Sequence, residues 1–490
     1  MKIAYIDHSF KKKTKSNDFL YSLLKDKYEV ERFWDDGWNG GKAFDLKEVT
    51  KEKFDCLILF QVIYSEEQLE ATGIKNIIFI PMYDALMHET ASFWMNLRKV
   101  KVLCFSWILY KRTKLLGLDS MFAQYYPKPK EHVTKDFSKK KVFFWQRTRE
   151  INKNVLKKLF GKNAPDKLYF HHSPDPGEDI LMPTREECNK CNITTTEWTS
   201  SKNKYYRLLD QCNIFIAPRQ AEGIGLAFLE AMARGMIVVG HNRPTMNEYI
   251  RHGKTGFLFD LQIQEHILLE NLEMIAENAK LSVLHGYKEW QRLIPSMYSF
   301  IERNVEVDSH GRERYIQKCD TVWEKLCGLG SDVLCDDLIF LGQAYELYEE
   351  YTKAKGVYLC ARGITVAKND LIRVERALAE LLKKSGDNEW REQYKHLIEL
   401  YEFDNSKDSL ELYQIASIYQ QLDELDEAIE GFKRIASSAN DKKLTSGAYF
   451  HLGEIAYVKE EFLIARRNFL ECLKRDKGHK KAKEYLGKIK

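Results

Sequence analysis

Arg219 to Asp260 reads RQAEGIGLAFLEAMARGMIVVGHNRPTMNEYIRHGKTGFLFD. Upstream, Ile214 to Pro218 is a short apolar run closed by proline, as a strand leaving a sheet would be. Ala221-Glu222-Gly223-Ile224-Gly225 then supplies two glycines where a backbone passes close to something. Leu226, Leu229, Met232 and Ala233 keep helical spacing, so Glu230 rides on a helix that opens at those glycines. Free N–H groups at such an opening form a seat for an anion such as a diphosphate. Gly235 ends the helix, and Met236 to Gly240 has the composition of a buried strand.

Glu222 and Glu230 bracket this turn with seven residues between them, one in the loop and one on the helix, so they can address different parts of an extended ligand. With GIGLAFLEAMARG between and NEYIRHGKTGFLF after, the stretch resembles the donor-site signature of retaining glycosyltransferases of the GT-B fold. The resemblance implies that Glu222 contacts hydroxyls of the transferred sugar and that the amides of Gly223, Ile224 and Gly225 hold phosphate or sugar oxygens. It implies that Glu230 binds the ribose of the nucleotide. An arginine after the first strand of the second domain and a lysine further on neutralise the donor diphosphate in that family. These roles fall on Arg147 and on Lys153, with Arg149 able to substitute for the lysine. Asn247 and Glu248 sit where a loop meets a helix. They read as caps, although the family brings this loop, and so Asn247, near the donor.

The 490 residues leave room for two to four domains, and 44% hydrophobic with 30% charged residues describes a soluble globular chain. A net charge of +4 is small for this length and does not call for nucleic acid. No apolar run reaches membrane-helix length, and MKIAYIDHSF followed by lysines has the reverse order of a signal peptide. Scattered cysteines in apolar runs (Cys56, Cys104, Cys212) point to reduced thiols in a cytoplasm. Cys188 and Cys191 form the one close pair, and with no second pair nearby coincidence is favoured over zinc or redox chemistry.

Residues 1–128 alternate short apolar runs (Lys2 to Asp7, Tyr28 to Trp34, Cys56 to Gln61, Ile77 to Met82, Val100 to Phe105) with helical or polar stretches. This is the pattern of a Rossmann-like parallel sheet, whose ligands lie beyond the strands' carboxyl ends. Relatives carry a glycine pair after the first strand; here His8 to Lys13 stands instead, a lysine run that either meets phosphate or is simply solvated. Asp84 and His88, just past a strand end, either touch sugar hydroxyls or are a helix cap and a surface histidine. Phe93 to Lys99 and Trp107 to Arg112 interleave aromatic and basic residues. That pattern suits peripheral membrane contact, and helices packing on a sheet look the same.

A proline-marked linker at Tyr125 to Lys130 precedes a second αβ series, residues 129–328, with strands at Lys141 to Trp145, Lys167 to His171, Ile193 to Trp198 and Asn213 to Ala217. The loop His172 to Gly177 is expected beside the nucleotide base, and Phe300 to Leu326 is expected to cross back onto the first domain. No D-x-D pair stands at a strand end, so no catalytic metal and no cofactor are expected; cations and helix dipoles would hold the diphosphate.

After Gly328 to Ser331 the pattern is wholly helical, residues 331–490. Gly342, Tyr345, Ala354, Tyr358 and Ala361 recur as Ala416, Tyr419, Ala428, Phe432 and Ile435, and as Gly453, Ala456, Ala465, Phe469 and Cys472. Small residues at fixed points let helices approach while an aromatic fills the gap, which resembles tetratricopeptide repeats with a period of 37 residues. Leu378, Trp390, Tyr394 and Leu397 give a degenerate fourth copy. The fold class expected is α/β plus all-α: a GT-B pair of sheets facing a cleft, then a helical solenoid. The function expected is metal-independent transfer of a sugar from a nucleotide-sugar donor to a protein or glycan acceptor, with the repeats binding acceptor or partner. The place expected is the cytoplasm or the inner face of a membrane. The alternatives are a repeat scaffold with a vestigial sugar-nucleotide domain, and a transferase acting on a lipid-linked oligosaccharide.

Overall fold

Runs such as Cys56–Phe60 and Ile77–Ile80 are apolar at every position, so neither face of the strands they form can meet water, and both are buried along their whole length. The computed structural model describes residues 1–489 apart from 38–40, 131–134, 162–163, 176–177, 179, 200, 262–265, 308–310, 330–334, 366, 403–408 and 439–440. The chain divides into two compact units, Met1–Gly311 and Arg312–Lys490.

The first unit holds two parallel six-stranded sheets. Strands β1 (Lys2–His8), β2 (Glu29–Asp35), β3 (Cys56–Phe60), β4 (Ile77–Ile80), β5 (Lys101–Cys104) and β6 (Ser120–Phe122) pair in the order β2-β1-β3-β4-β5-β6. Strands β7 (Lys141–Gln146), β8 (Lys167–His172), β9 (Ile193–Glu197), β10 (Ile214–Ile216), β11 (Ile237–His241) and β12 (Phe257–Phe259) pair in the order β12-β11-β10-β7-β8-β9. This is the GT-B arrangement. β6, three residues long, carries too little periodicity to announce itself.

One 31-residue helix, Leu272–Glu302, ties the two sheets together. Its early residues Ala279 and Val283 share a core with Phe228 and Met232 of the second sheet's cover, and Trp290, Phe300 and Ile301 extend that core to Ile78 and Leu103 of the first. Its carboxyl end is fixed by Lys101, wholly buried, whose Nζ donates to the carbonyls of Phe300, Ile301 and Arg303. Asn76 Nδ2 donates to Ile301 O at 2.8 Å, and Arg303 pairs with Asp119. Glu306 N also donates to Asp119 Oδ2 at 2.8 Å, so the chain lies on the first domain from Phe300 to Glu306, the opening part of the Phe300 to Leu326 segment expected to cross back. The helix Arg312–Leu329 belongs to the second unit. There the Tyr315 ring lies 4.1 Å from that of Tyr348, and Asp320 accepts from Tyr345 Oη at 2.8 Å and from Lys353 Nζ at 2.7 Å. Gly330 and Ser331, where the sequence sets the junction, lie outside the described residues.

The second unit is a long run of paired helices, among them Cys335–Glu346 with Tyr351–Ile364, Ser409–Leu422 with Leu425–Ser438, and Lys442–Val458 with Phe462–Arg475. The repeated small residues sit where helices touch. A Cβ on Gly342 would come within 2.2 Å of the Tyr358 ring, and one on Gly453 within 2.6 Å of the Phe469 ring. Both rings are fully buried and have nowhere to move. Gly342→Ala gains about 1 kcal/mol of helix propensity but overpacks the pair by roughly 1–3 kcal/mol. A net loss of up to about 2 kcal/mol is expected. Urea unfolding followed by circular dichroism checks it, and an unchanged or higher midpoint would show that the contact has slack.

Candidate active site

Parallel strands deliver their loops at the carboxyl edge, and the loops after β4 and β10 meet there. Gly223 packs so closely on the first domain that a Cβ would lie 2.7 Å from Met82 Sδ and 3.0 Å from Asp84 Oδ1. Gly225 adopts φ 81°, and a Cβ there would strike the Phe228 ring at 1.8 Å. The helix Leu226–Met232 starts from that residue, while Ile224 is buried in the core beneath the turn. The two glycines thus have separate reasons: close approach at one, backbone conformation at the other.

Arg219, directly after Pro218, is the hub. It donates from Nε to Asp175 Oδ2 at 2.9 Å and from Nη1 to Asp84 Oδ2 at 3.0 Å, and lies 3.7 Å from Glu222 Oε2. Arg147 follows β7 and places Nε and Nη2 on the other Asp175 oxygen at 3.0 and 2.7 Å, its guanidinium over the Trp145 ring. Two guanidiniums therefore face three carboxylates, and the five groups come from four strand ends. Glu222 is 7% exposed; burial raises its pKa, with Arg219 and Arg147 opposing. Thr245 Oγ1 donates to its backbone carbonyl at 3.1 Å.

Comparison with known proteins bears on the same stretch. The family described as Glycosyl transferases group 1 matches residues 183–284. The curated proteins give no match. Among solved structures, Anabaena Alr3699/HepE in complex with UDP and glucose is 13% identical, over 61% of this chain and 99% of that one, with a TM-score of 0.43. A glycosyltransferase from Rickettsia africae is 13% identical over 62% and 99%, with a TM-score of 0.43. The lipopolysaccharide outer core galactosyltransferase WaaB, in its apo form, is 16% identical over 66% and 100%, with a TM-score of 0.37. Residues 183–284 are a glycosyltransferase group 1 domain.

Of the residues the sequence singles out, the structure brings Asp84, Arg147, Glu222 and Gly223 together and sets others apart. Within the group 1 domain, Glu230 accepts from Tyr206 Oη at 2.9 Å, and Tyr206 lies under Arg234. Lys153 reaches Glu187 Oε2 at 2.6 Å and Met182 O at 2.9 Å rather than Arg147. With Lys157 it holds the Glu187 carboxyl down to about 2. Arg149 gives its backbone N–H to Glu178, and Asn247 approaches Asn242 Oδ1 at 3.5 Å. Glu248 does cap a helix, but one in the first domain: it accepts from Trp107 N, Ile108 N and Ser106 Oγ at 2.7, 3.1 and 2.9 Å.

Asp84 is neither a cap nor free, since it faces Arg219, and the helix Tyr83–Leu86 starts from Met82 instead. In the lysine run, Lys11 is buried, set between Asp7 and Gln61 over the Phe60 ring; burial pushes its pKa down to about 8, against Asp7 and Asp84. Lys12 and Lys13 are exposed, and Lys13 lies 5.3 Å from the Trp198 ring of the second domain. The aromatic–basic segments pack on the sheet: Trp94 and Leu109 are buried and Arg112 donates to Met87 O, while Trp107 remains 46% exposed. Pro176 and Gly177 of the expected base-side loop lie outside the described residues.

Sequence reading missed Arg219 and Asp175. Arg219 had a signal, a cation at a strand end three residues before a glutamate. Asp175 had none, because its loop gives no spacing that links it to Arg147. Arg219→Ala takes the ion-pair partner from Asp84 and Glu222 and leaves Asp175 with Arg147. A loss of about 3–5 kcal/mol of stability is expected, against a smaller loss for Arg219→Lys. Thermal unfolding of both variants is the measurement, and equal melting temperatures for Arg219→Ala and wild type would remove Arg219 as the hub.

Proposed function

We propose that the chain transfers a sugar from a nucleoside-diphosphate sugar to an acceptor hydroxyl with retention of configuration and without a metal. The observation that carries this reading is Glu222, buried beside the glycine turn of a group 1 domain and balanced by Arg219 where the two sheets' edges meet. In the reaction, the bond from the sugar's anomeric carbon to the donor phosphate oxygen breaks and a bond to the acceptor oxygen forms. The acceptor's proton passes to the leaving phosphate, and a nucleoside diphosphate departs. Charge builds on that phosphate, and preorganised cations and amides are the groups that stabilise it. Arg147 and the turn Gly223 to Gly225 stand for these here, with Glu222 orienting the sugar, Asp84 reaching its hydroxyls and Glu230 binding the ribose. Lys153, Arg149 and Asn247 are secondary contacts, since Lys153 must first leave Glu187.

In this reading the paired helices are tetratricopeptide-like repeats that bind a protein or glycan acceptor, or a partner that presents it, at the cytoplasmic side. The matching contacts of Gly342 on Tyr358 and Gly453 on Phe469 support that assignment, because one packing solution recurs at one sequence offset.

The test is release of nucleoside diphosphate from a panel of nucleotide sugars by the full chain. Glu222→Gln is expected to lower turnover by more than about tenfold, because contacts to sugar hydroxyls are charge-assisted. Glu230→Gln is expected to weaken nucleotide binding by about 1–3 kcal/mol while leaving saturated turnover nearer wild type. Wild-type kinetics in both would overturn the site assignment. A chelator should leave turnover unchanged, and a loss restored by Mn²⁺ or Mg²⁺ would overturn the metal-free reading.

A further inference from the structure

The turn Arg251 to Gly256, part of the stretch that marks the donor signature, has no place in the proposed reaction, yet it forms one wall of a separate cavity. That cavity, about 700 Å³, lies between this turn, the strap that joins the two sheets, and the Leu272–Glu302 helix. The turn holds itself in shape: Lys254 N and Thr255 N donate to Arg251 O, Thr255 Oγ1 accepts from Arg251 N, and Gly253 N donates to Gly256 O. Arg251 and Lys254 line the cavity from this turn, and His285 lines it from the helix. Among the described residues, neither Arg251 nor Lys254 forms an ion pair. The one carboxylate on the lining, Glu289, is held by Arg292. Asn278, Ser282 and Gln124 add neutral hydrogen-bonding groups, while Phe122, Tyr126 and Leu281 give an apolar side.

A cavity that gathers unpaired cations and neutral donors against an aromatic wall suits an anion carried on an organic body. We propose that this cavity is a second binding site, taking a small organic phosphate whose phosphoryl group lies against Arg251 and Lys254 and whose body lies on Phe122 and Tyr126. Its position connects it to the reaction cleft. Gly286 lets the Tyr126 ring lie against the helix, since a Cβ there would meet the ring at 2.4 Å. The Tyr126 ring lies 5.0 Å from Tyr249, and Tyr249 lies 5.6 Å from Phe228, the ring under the glycine turn. Gln124 Nε2 donates to Glu248 O at 3.2 Å, and the Glu248 carboxylate caps the first-domain helix described above.

The experiment is calorimetric titration of the full chain with glucose 6-phosphate, fructose 1,6-bisphosphate and inorganic pyrophosphate. It is run on wild type, on Arg147→Ala, on the double variant Arg251→Ala/Lys254→Ala, and on Ser282→Trp, which fills the cavity from the helix side. The turn cations are exposed, so the double variant keeps the fold. The expected result is saturable binding of at least one organic phosphate to wild type and to Arg147→Ala. The double variant should bind at least about tenfold more weakly, since two charge-assisted contacts are lost, and Ser282→Trp should not bind. Pyrophosphate binding as well as the organic phosphates would overturn the role of the apolar wall. Loss of binding in Arg147→Ala would place the probe in the donor cleft and overturn the site. No saturable binding to wild type, or equal binding in the double variant, would overturn it too. None of these outcomes depends on nucleotide-sugar turnover, so a failed donor reading leaves this result legible.

Discussion

Arg219 is the charge on which the cleft depends. Among the described residues it alone touches carboxylates from both domains, Asp84 after β4 and Asp175 after β8, while standing beside Glu222 on its own loop. A carboxylate pushed out of water is costly unless paired, and burial already raises the pKa of Glu222. A single guanidinium with a planar fork can satisfy several such groups at once, which an ammonium cannot do with the same geometry. The close packing of Gly223 on Met82 follows from the same arrangement, because the arginine that draws the two edges together also sets how near the glycine turn must come.

The edges are held in register at two further points, and both satisfy backbone groups at helix ends. Lys101 saturates the last carbonyls of the Leu272–Glu302 helix, and Glu248 saturates the first N–H groups of the helix Trp107–Leu115. Lys101 belongs to the first domain and receives the end of a helix that starts on the second, while Glu248 belongs to the second domain and receives the start of a helix of the first. The relative placement of the two sheets is thus specified by orphaned helix termini as much as by the shared core.

Strands were legible in the sequence because parallel sheets demand unbroken apolar runs, and β3, β4 and β10 show them. The glycine turn and its two glutamates were legible because their spacing fixes their geometry locally. What was not legible is how charges meet across the cleft. Arg147 and Asp175 are 28 residues apart and Arg219 and Asp84 are 135 apart, so no periodicity relates them. Where the crossing helix ends was not legible for a similar reason. Helical spacing runs on past Glu302, and only the buried Lys101, invisible as a cap from its own strand, shows where the helix stops.

The pairing in the cleft also bears on how the proposed donor would enter. Arg147 places both of its bonded nitrogens on one oxygen of Asp175, and Arg219 takes the other oxygen. A carboxylate gripped by two guanidinium forks presents two anionic oxygens to the donors that would otherwise hold two oxygens of a phosphate group. In the proposed reading Asp175 therefore stands in for the donor phosphate, and a diphosphate gains a net contact only by displacing it. Because each arginine ends as well bonded as it began, the exchange adds little to ground-state affinity. The gain appears when charge moves onto the leaving oxygen and the phosphate becomes a stronger acceptor than a carboxylate. Such an arrangement favours the transition state over the bound donor, which is the condition for catalysis rather than mere tight binding.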